Sequence, residues 1–520
     1  MNTRKTKFRK VKWSLCDIVG QEYAEAVRKA CSFFSDLDKN SIRRCLRKEI
    51  SFYPKDFYRD LVRFLPRVGK KVARPLECSA AGAGTAAFQQ HTKTAGAPLS
   101  GLGFYRIGED GRLYLTTKSE HYHAPLGHGF PGYRLLDHAR SLGIPNATHN
   151  NTRGHITRLL EQELIRTAAG IAPDDIDGLN DVLQSRNRFV LNRVLNLETG
   201  SLAVEAALKM CLSRFYRPQP GCPRRRYPDR IPVFVVIGDD AGDLTGNYHG
   251  TTTLTQLLRG MWPELSEKLE KQKILLIRAA RPNHGEDLDA VFGNYEKPPY
   301  KIAGFFYEMV MMNYAAKRLS EDFVRRIHAL CKKHDVPTIV DEIQTCVWSP
   351  QLFLFREYGV KPTFVAVGKG FPGGEYPASR ILFSAAMDTL PQFGALVTNG
   401  QEELSSLAYL ITLRWVEANG EVIQEVGEYY ENRLRDLATK YPDRVCAIEG
   451  KRHLAGIYFH DLNPARSFVE YLNQAGLDIS VQTYKSGCPP CALTKLPLIA
   501  GFEVVDFVVD TMDRALGESA

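Results

Sequence analysis

The sequence predicts an α/β fold organised around a large, mostly parallel mixed sheet. Three observations lead there: short apolar runs alternate with amphipathic helical stretches, two of those runs end in residues able to do chemistry, and the excess positive charge lies outside the region that alternates. The runs are IPVFVVIG (231–238), KILLIRAA (273–280), KIAGFFYE (301–308), VPTIVDEI (336–343), TFVAVGKG (363–370) and SRILFS (379–384). Strands apolar on both faces suit a sheet covered by helices on both sides. Between two of them, SEDFVRRIHALCKKH (320–334) opens on a serine cap with acids in its first turn and closes in Lys-Lys-His, as a helix should. In such sheets ligands gather at the carboxyl ends of the strands, where Asp341 and Lys369 stand.

Composition sets the bounds. A chain of 520 residues with 44% hydrophobic and 24% charged residues is ordinary globular material, long enough for two or three domains. It has no apolar run of membrane-spanning length, and its basic start lacks the apolar core and cleavage site of a secretory signal, so a cytoplasmic protein is expected. The 11 cysteines are scattered and suit reduced thiols. Of the net charge of +9, residues 1–77 supply more than all, with 20 Lys+Arg against 9 Asp+Glu. A basic arm can meet nucleic acid, a membrane surface or an acidic partner. The simpler expectation is a solubilising helical appendage, with nucleic acid and membrane not expected as partners. Tyr23, Val27, Ala30, Phe34, Phe57, Leu61 and Phe64 recur at helical spacing, and SAAGAGTAAFQQHTKTAGAP (79–98) reads as a linker. The expected divisions are a basic, mainly helical extension and linker (1–98), a first segment of a small domain (99–175), a large domain (176–405) and a C-terminal small domain (406–520).

The chemistry begins with IVDEIQT (339–345), a strand that runs into two acids. Lys369, in GKGFPGGEYP, ends the following strand 28 residues after Asp341. A structural ion pair would explain these two alone; so would a Schiff-base lysine facing a cofactor. A third element is NLETGSLAVEAALKMCL (196–212), a strand-like lead-in, a Thr-Gly-Ser turn and a helix. Gly200 permits close backbone approach, and Ser201 sits at the helix N-terminus, where free amides favour a phosphate. A fourth is GNYHGTT (246–252), with Tyr248 and His249 in a glycine-flanked loop.

Together with DGRLYL (110–115), LGHGFP (126–131), Glu308 and Thr398 in LVTNG, these elements stand in the order found in the class III aminotransferases, which the chain resembles over roughly residues 101–516. The resemblance implies the pyridoxal phosphate fold type I, like aspartate aminotransferase, with a smaller α+β domain drawn from both chain ends. It implies pyridoxal 5′-phosphate as cofactor, Lys369 as its Schiff-base lysine and proton shuttle, and Asp341 as partner of the pyridine nitrogen. Gln344 would lie near the phenolic oxygen, Tyr248 on the ring face, and Gly200 and Ser201 at the phosphate. His249 and Glu308 would complete the cofactor set, and Thr398 would reach the phosphate of a neighbouring subunit, making a homodimer. The activity implied is amino transfer between an amino acid, ω-amino acid or amine and a keto acid or aldehyde. Another Cα reaction on the same fold, or a cofactor-binding regulatory role, are the alternatives, and no metal is expected.

The chain departs from the family pattern in several places. Its phosphate turn is Thr199-Gly200-Ser201-Leu202 without an acid, and Cys346-Val347-Trp348-Ser349 follows the DEIQT run. Leu493 occupies the place of an arginine that binds the substrate carboxylate in many members, and Asn313 replaces that arginine's glutamate partner. Lys495 and Arg153 are the candidate substitutes. The Cys488-Pro-Pro-Cys491 motif has no second pair for zinc, His121, His123 and His128 read as loop histidines near the cofactor entrance, and Arg224-Arg225-Arg226 as a solvated connection.

Overall fold

The computed structural model describes residues 5–35, 38–89, 94–118, 123–482 and 487–518. The N-terminal segment holds strands β1 (Lys12–Trp13) and β2 (Ile50–Ser51), which pair antiparallel, and helices α1 (Leu15–Val19), α2 (Gln21–Phe34), α3 (Lys39–Arg47) and α4 (Lys55–Val62). Ser14 opens α1 with a reciprocal cap to Asp17, and Asp38 caps α3 through the amides of Asn40 and Ser41. Against the expectation of an appendage, this segment is part of the main core: Leu15, Ile42, Phe52 and Leu61 are buried in it. Phe8 packs edge-on against Tyr53 at 5.1 Å and beside Trp415 at 5.6 Å. The His155 ring stacks on Tyr23 at 4.5 Å and its Nε2–H donates to the Val19 carbonyl. In α3 and α4, Ile42, Leu46 and Leu61 are buried while Arg43, Arg44, Arg47 and Arg59 are exposed, so much of the charge lies on the solvent side of an amphipathic layer; Phe33 and Phe34, at the end of α2, are exposed.

A three-stranded antiparallel sheet follows, β3 (Pro98–Leu102), β4 (Tyr105–Gly108) and β5 (Leu113–Leu115), then helix α5 (His155–Ala169). Glu403 closes the start of α5, accepting the N–H groups of Ile156 and Thr157 and the Thr157 hydroxyl. The central sheet begins with β6 (Arg193–Leu197), which feeds α6 (Gly200–Leu212), and continues with β7 (Ile231–Ile237), β8 (Leu276–Ala280) and β9 (Tyr300–Tyr307). After a small hairpin, β10 (Val310–Met311) with β11 (Lys317–Arg318), come α7 (Glu321–Lys333, capped by Ser320), β12 (Thr338–Asp341), the short helix α8 (Leu354–Glu357), β13 (Phe364–Val367) and β14 (Ser379–Phe383).

The sheet has seven strands in the order β6-β14-β13-β12-β9-β7-β8. The pairings β13·β12, β12·β9, β9·β7 and β7·β8 are parallel, and β14 is antiparallel to both neighbours. The reversal has a simple cause. Residues 368–378 between β13 and β14 are too few for a helical crossover, so the chain returns beside the strand it has left. Helix α9 (Glu403–Lys440), 38 residues long, then crosses the molecule. Strands β15 (Val445–Lys451), β16 (Leu454–Phe459), β17 (Ser480–Val481) and β18 (Cys491–Lys495) form a four-stranded antiparallel sheet in the order β15-β16-β18-β17, and α10 (Phe502–Glu518) closes the chain. Residues near β5 join this sheet: Leu115 exchanges backbone hydrogen bonds with Gly476 and Asp478, and the Lys495 N–H donates to the Thr117 carbonyl.

Candidate active site

Alternation along a strand explains the two acids of IVDEIQT. Asp341 ends β12 and faces a cavity of 540 Å³; Glu342 faces the other way. The Glu342 carboxylate, fully buried, accepts from the N–H groups of Leu354 at 2.8 Å and Phe355 at 2.7 Å and from the Thr345 hydroxyl at 3.1 Å, so it caps α8. Burial pushes its carboxyl up to about 7, against the pull of those donors. One acid therefore serves the cavity, and its neighbour holds the loop behind it.

The cavity is assembled from successive carboxyl ends of parallel strands. Lys369 comes from just beyond β13, Asp341 from β12, Glu308 from just beyond β9, and Tyr248 with His249 from the loop after β7. Asp341 Oδ1 accepts from the Ile343 N–H at 3.1 Å, and its Oδ2 lies 3.0 Å from His249 Nδ1. His249 Nε2 is buried without a partner, so the proton that satisfies Asp341 is on Nδ1. Burial lowers the Lys369 amine below the ordinary lysine range, while Glu308 and Asp341 draw it upward. Its backbone lies at φ +38°, the strained left-handed region that clusters at functional sites. Tyr248 is half-buried, with the Arg259 guanidinium 5.0 Å from its ring centroid.

Gly200 and Ser201 open α6 beside these groups. Thr199, the residue before the helix, gives no side-chain cap, so the first amides keep their donors for something else. Ser201 Oγ accepts from the Thr251 N–H at 3.0 Å. The turn is tight: a Cβ on Gly200 would meet Ile343 at 2.8 Å, and one on Gly250 (φ +138°) would meet Ser201 at 2.8 Å. Gln344 is buried at the cavity wall with its Oε1 lacking a partner, and its carbonyl accepts from Lys495 Nζ at 2.5 Å.

The cavity thus collects Lys369, Asp341, Glu308, Tyr248, His249, Gly200, Ser201 and Gln344. Thr398 is exposed in the loop before α9 and is not at this cavity. Leu493 is buried in β18, and Asn313 lines the cavity. Of the two candidate substitutes for the carboxylate anchor, Arg153 is half-exposed and pairs with Glu161 at 3.4 Å. Lys495 is fully buried behind Gln344, its Nζ 3.7 Å from the Trp348 ring centroid. His123 lines the cavity; His121 lies outside the described residues. Glu198 and Tyr376 also line it and were not singled out from sequence, although they flank the Thr-Gly-Ser turn and the GGEYP run. Cys488 and Cys491 are free thiols. Among the described residues no cluster of His, Cys, Asp and Glu could hold a metal ion, and no helix is long and apolar enough to cross a membrane.

The family model for class-III aminotransferases matches residues 100–516. Curated relatives include the ornithine aminotransferase of Bordetella pertussis, 28% identical over 206 residues, which are 38% of this chain and 47% of that protein. The acetylornithine aminotransferase of Oceanobacillus iheyensis is 25% identical over 290 residues, 55% of this chain and 65% of that protein. The chain thus spans between about half and two thirds of these relatives' own length. Among solved structures, an ornithine aminotransferase from Plasmodium yoelii superposes with a TM-score of 0.63 at 17% identity, covering 86% of this chain and 97% of that one. A transaminase from the marine bacterium Virgibacillus gives 0.64 at 16% identity, over 84% and 96%. These two share the fold.

Proposed function

The chain belongs to the class III aminotransferase family, and from that premise we propose that it transfers an amino group between an amino acid, ω-amino acid or amine and a keto acid or aldehyde, using pyridoxal 5′-phosphate. One observation carries the reading: neighbouring parallel strands deliver an amine and two carboxyls, Lys369, Asp341 and Glu308, to one buried cavity beside an uncapped helix N-terminus. The residues suit the cofactor. The free amides of α6 and Ser201 would take its phosphate, Gly200 and Gly250 let Ile343 and Ser201 pack close behind that turn, and the orphaned Gln344 Oε1 marks a polar contact left open.

When bound, pyridoxal phosphate supplies a ring that accepts the electron pair left as a substrate Cα–H bond breaks. The protein does the rest. Asp341 would hold a proton on the ring nitrogen, and His249 Nδ1–H and the Ile343 amide fix that carboxylate in one orientation. Lys369, an amine whose burial favours the neutral form, would take the Cα proton and return it. Tyr248 would cover the ring face. Glu308 would help orient the cofactor. Thr398, exposed and not part of its own cavity's lining, would serve the phosphate of a second subunit in a homodimer. Leu493 and Asn313, where an arginine and its partner acid would anchor a substrate carboxylate, favour a second reading in which the same residues racemise or decarboxylate at Cα.

The test is direct. Purified protein should absorb in the visible, and borohydride should fix the chromophore to Lys369; a Lys369→Ala protein that kept the reducible adduct would overturn the assignment. With a panel of amines and a keto acid, amino transfer supports the first reading. Racemisation or release of carbon dioxide without transfer supports the second.

A further inference from the structure

A second cavity, of 220 Å³, lies at the opposite edge of the sheet. Asp335 to Pro337 lead into β12 and Thr363 leads into β13, so the cavity sits at the amino ends of the strands whose carboxyl ends carry Asp341 and Lys369. The strand Thr338–Asp341 and the two residues before it separate the turn at Asp335 from the first cavity. Four arginines line it, Arg188, Arg214, Arg224 and Arg226, against one carboxylate, Asp335.

That carboxylate is already saturated. Arg188 Nη1 pairs with its Oδ1, while Arg214 Nη2 at 2.6 Å, Arg226 Nη2 at 2.8 Å and the Tyr227 hydroxyl at 2.5 Å converge on Oδ2. Asp335 therefore neutralises one positive charge of the four. The Arg214 side chain is only 7% exposed, yet its Nη1 is buried without a partner. A buried guanidinium N–H left unmade is costly; among the described residues no hydrogen-bond acceptor meets it, and the Arg214 guanidinium lies 5.0 Å from the Tyr227 ring centroid. Burial, with Arg226 and Arg188 adding repulsion, disfavours the charged form of Arg214. Ser213 and Thr389 add hydroxyls to the wall, and Phe189, Pro218, Pro223 and Met387 make the remainder apolar.

We propose that this cavity is a binding site for a phosphate-bearing anion, held by the guanidinium groups of Arg188, Arg224 and Arg226 at its wall, with the charge of the buried Arg214 behind them. A phosphate dianion matches the surplus charge of the four arginines better than a second carboxylate would. The apolar remainder of the wall suits a small organic substituent on the phosphate.

The experiment uses the full chain, first saturated with pyridoxal phosphate so that the turn at Gly200–Ser201 does not compete. Inorganic phosphate, a nucleoside monophosphate and acetate are titrated separately by calorimetry. Phosphate should bind and acetate should not; tighter binding of the monophosphate would identify an organic phosphate as the occupant, and equal binding the free ion. Arg226→Gln, at a half-exposed position that leaves the fold intact, should weaken phosphate binding about tenfold. Arg225→Gln, at a neighbouring arginine outside the cavity, should leave it unchanged. Absence of phosphate binding to the wild type, or equal weakening by the two substitutions, would overturn the proposal.

Discussion

Replacing Glu342 by glutamine asks whether the acid beside Asp341 is a structural cap whose charge is expensive. In the folded chain its carboxyl is displaced from 4.5 to about 7 by burial. The sign follows from proton counting: between those values the folded state holds a proton that the unfolded state has released. The corresponding stability is fully present below pH 4.5 and lost as the pH rises through 7, about 3 kcal/mol in all. With about 2 cal/mol/K of unfolding entropy per residue, a chain of this length loses about 3 °C in Tm. Glutamine does not titrate. It offers one carbonyl to the two N–H donors of Leu354 and Phe355, so one of them faces an NH₂ group, a loss of about 1–3 kcal/mol. Thermal unfolding followed by circular dichroism from pH 5 to pH 8 should therefore show the variant less stable at pH 5, with the difference closing or reversing by pH 8. Parallel curves for the two proteins would refute the reasoning, because contributions from all other groups cancel between them.

Other perturbations follow the same geometry. Asp341→Asn retains the shape but removes the charge opposite His249, and amino transfer should fall about 10²–10⁴-fold with little change in Tm. Lys495, whose amine burial and Lys369 hold well below the ordinary lysine range, contributes least to stability when it must be charged. Its contribution is therefore lost as the pH falls, and Lys495→Met should gain relative to wild type between pH 9.5 and pH 7 in denaturant midpoints. Phe8→Ala removes a ring packed on Tyr53 and Trp415 and should cost about 2–3 kcal/mol, seen as a lower Tm, with the Lys369 chromophore unchanged.

Much of the fold was legible because apolar period and capping agree locally. The helix after Ser320 begins at Glu321, and the runs at 231, 301, 338 and 364 form strands of one sheet. Strand direction is a matter of connection length, and the antiparallel return of β14 follows from a short link, which an apolar run by itself does not reveal. The N-terminal segment misled because net charge reports the solvent face of a helix and is silent on the face that docks. Near the cavity, glycines and acids at strand ends pointed to the right edge of the sheet. The division of labour between Asp341 and Glu342 did not show, although strand alternation already placed them on opposite faces. The contacts of Lys495, a candidate anchor from sequence, and of Asp335 were illegible for another reason: their partners, Gln344 and Arg188, lie 151 and 147 positions away in the chain and meet them only through tertiary packing.

The N-terminal stitching also joins residues that are far apart in the chain. Thr6 donates to Glu503 and accepts from the Phe502 N–H, a union of residues 497 positions apart, and Tyr58 reaches the same glutamate. Thr6 and Tyr58 thus gain these partners only when residues 502–503 are in place, whereas Phe8 rests on Tyr53 and Trp415. A chain ending before residue 502 would carry every strand of the central sheet and leave Thr6 and Tyr58 without these partners.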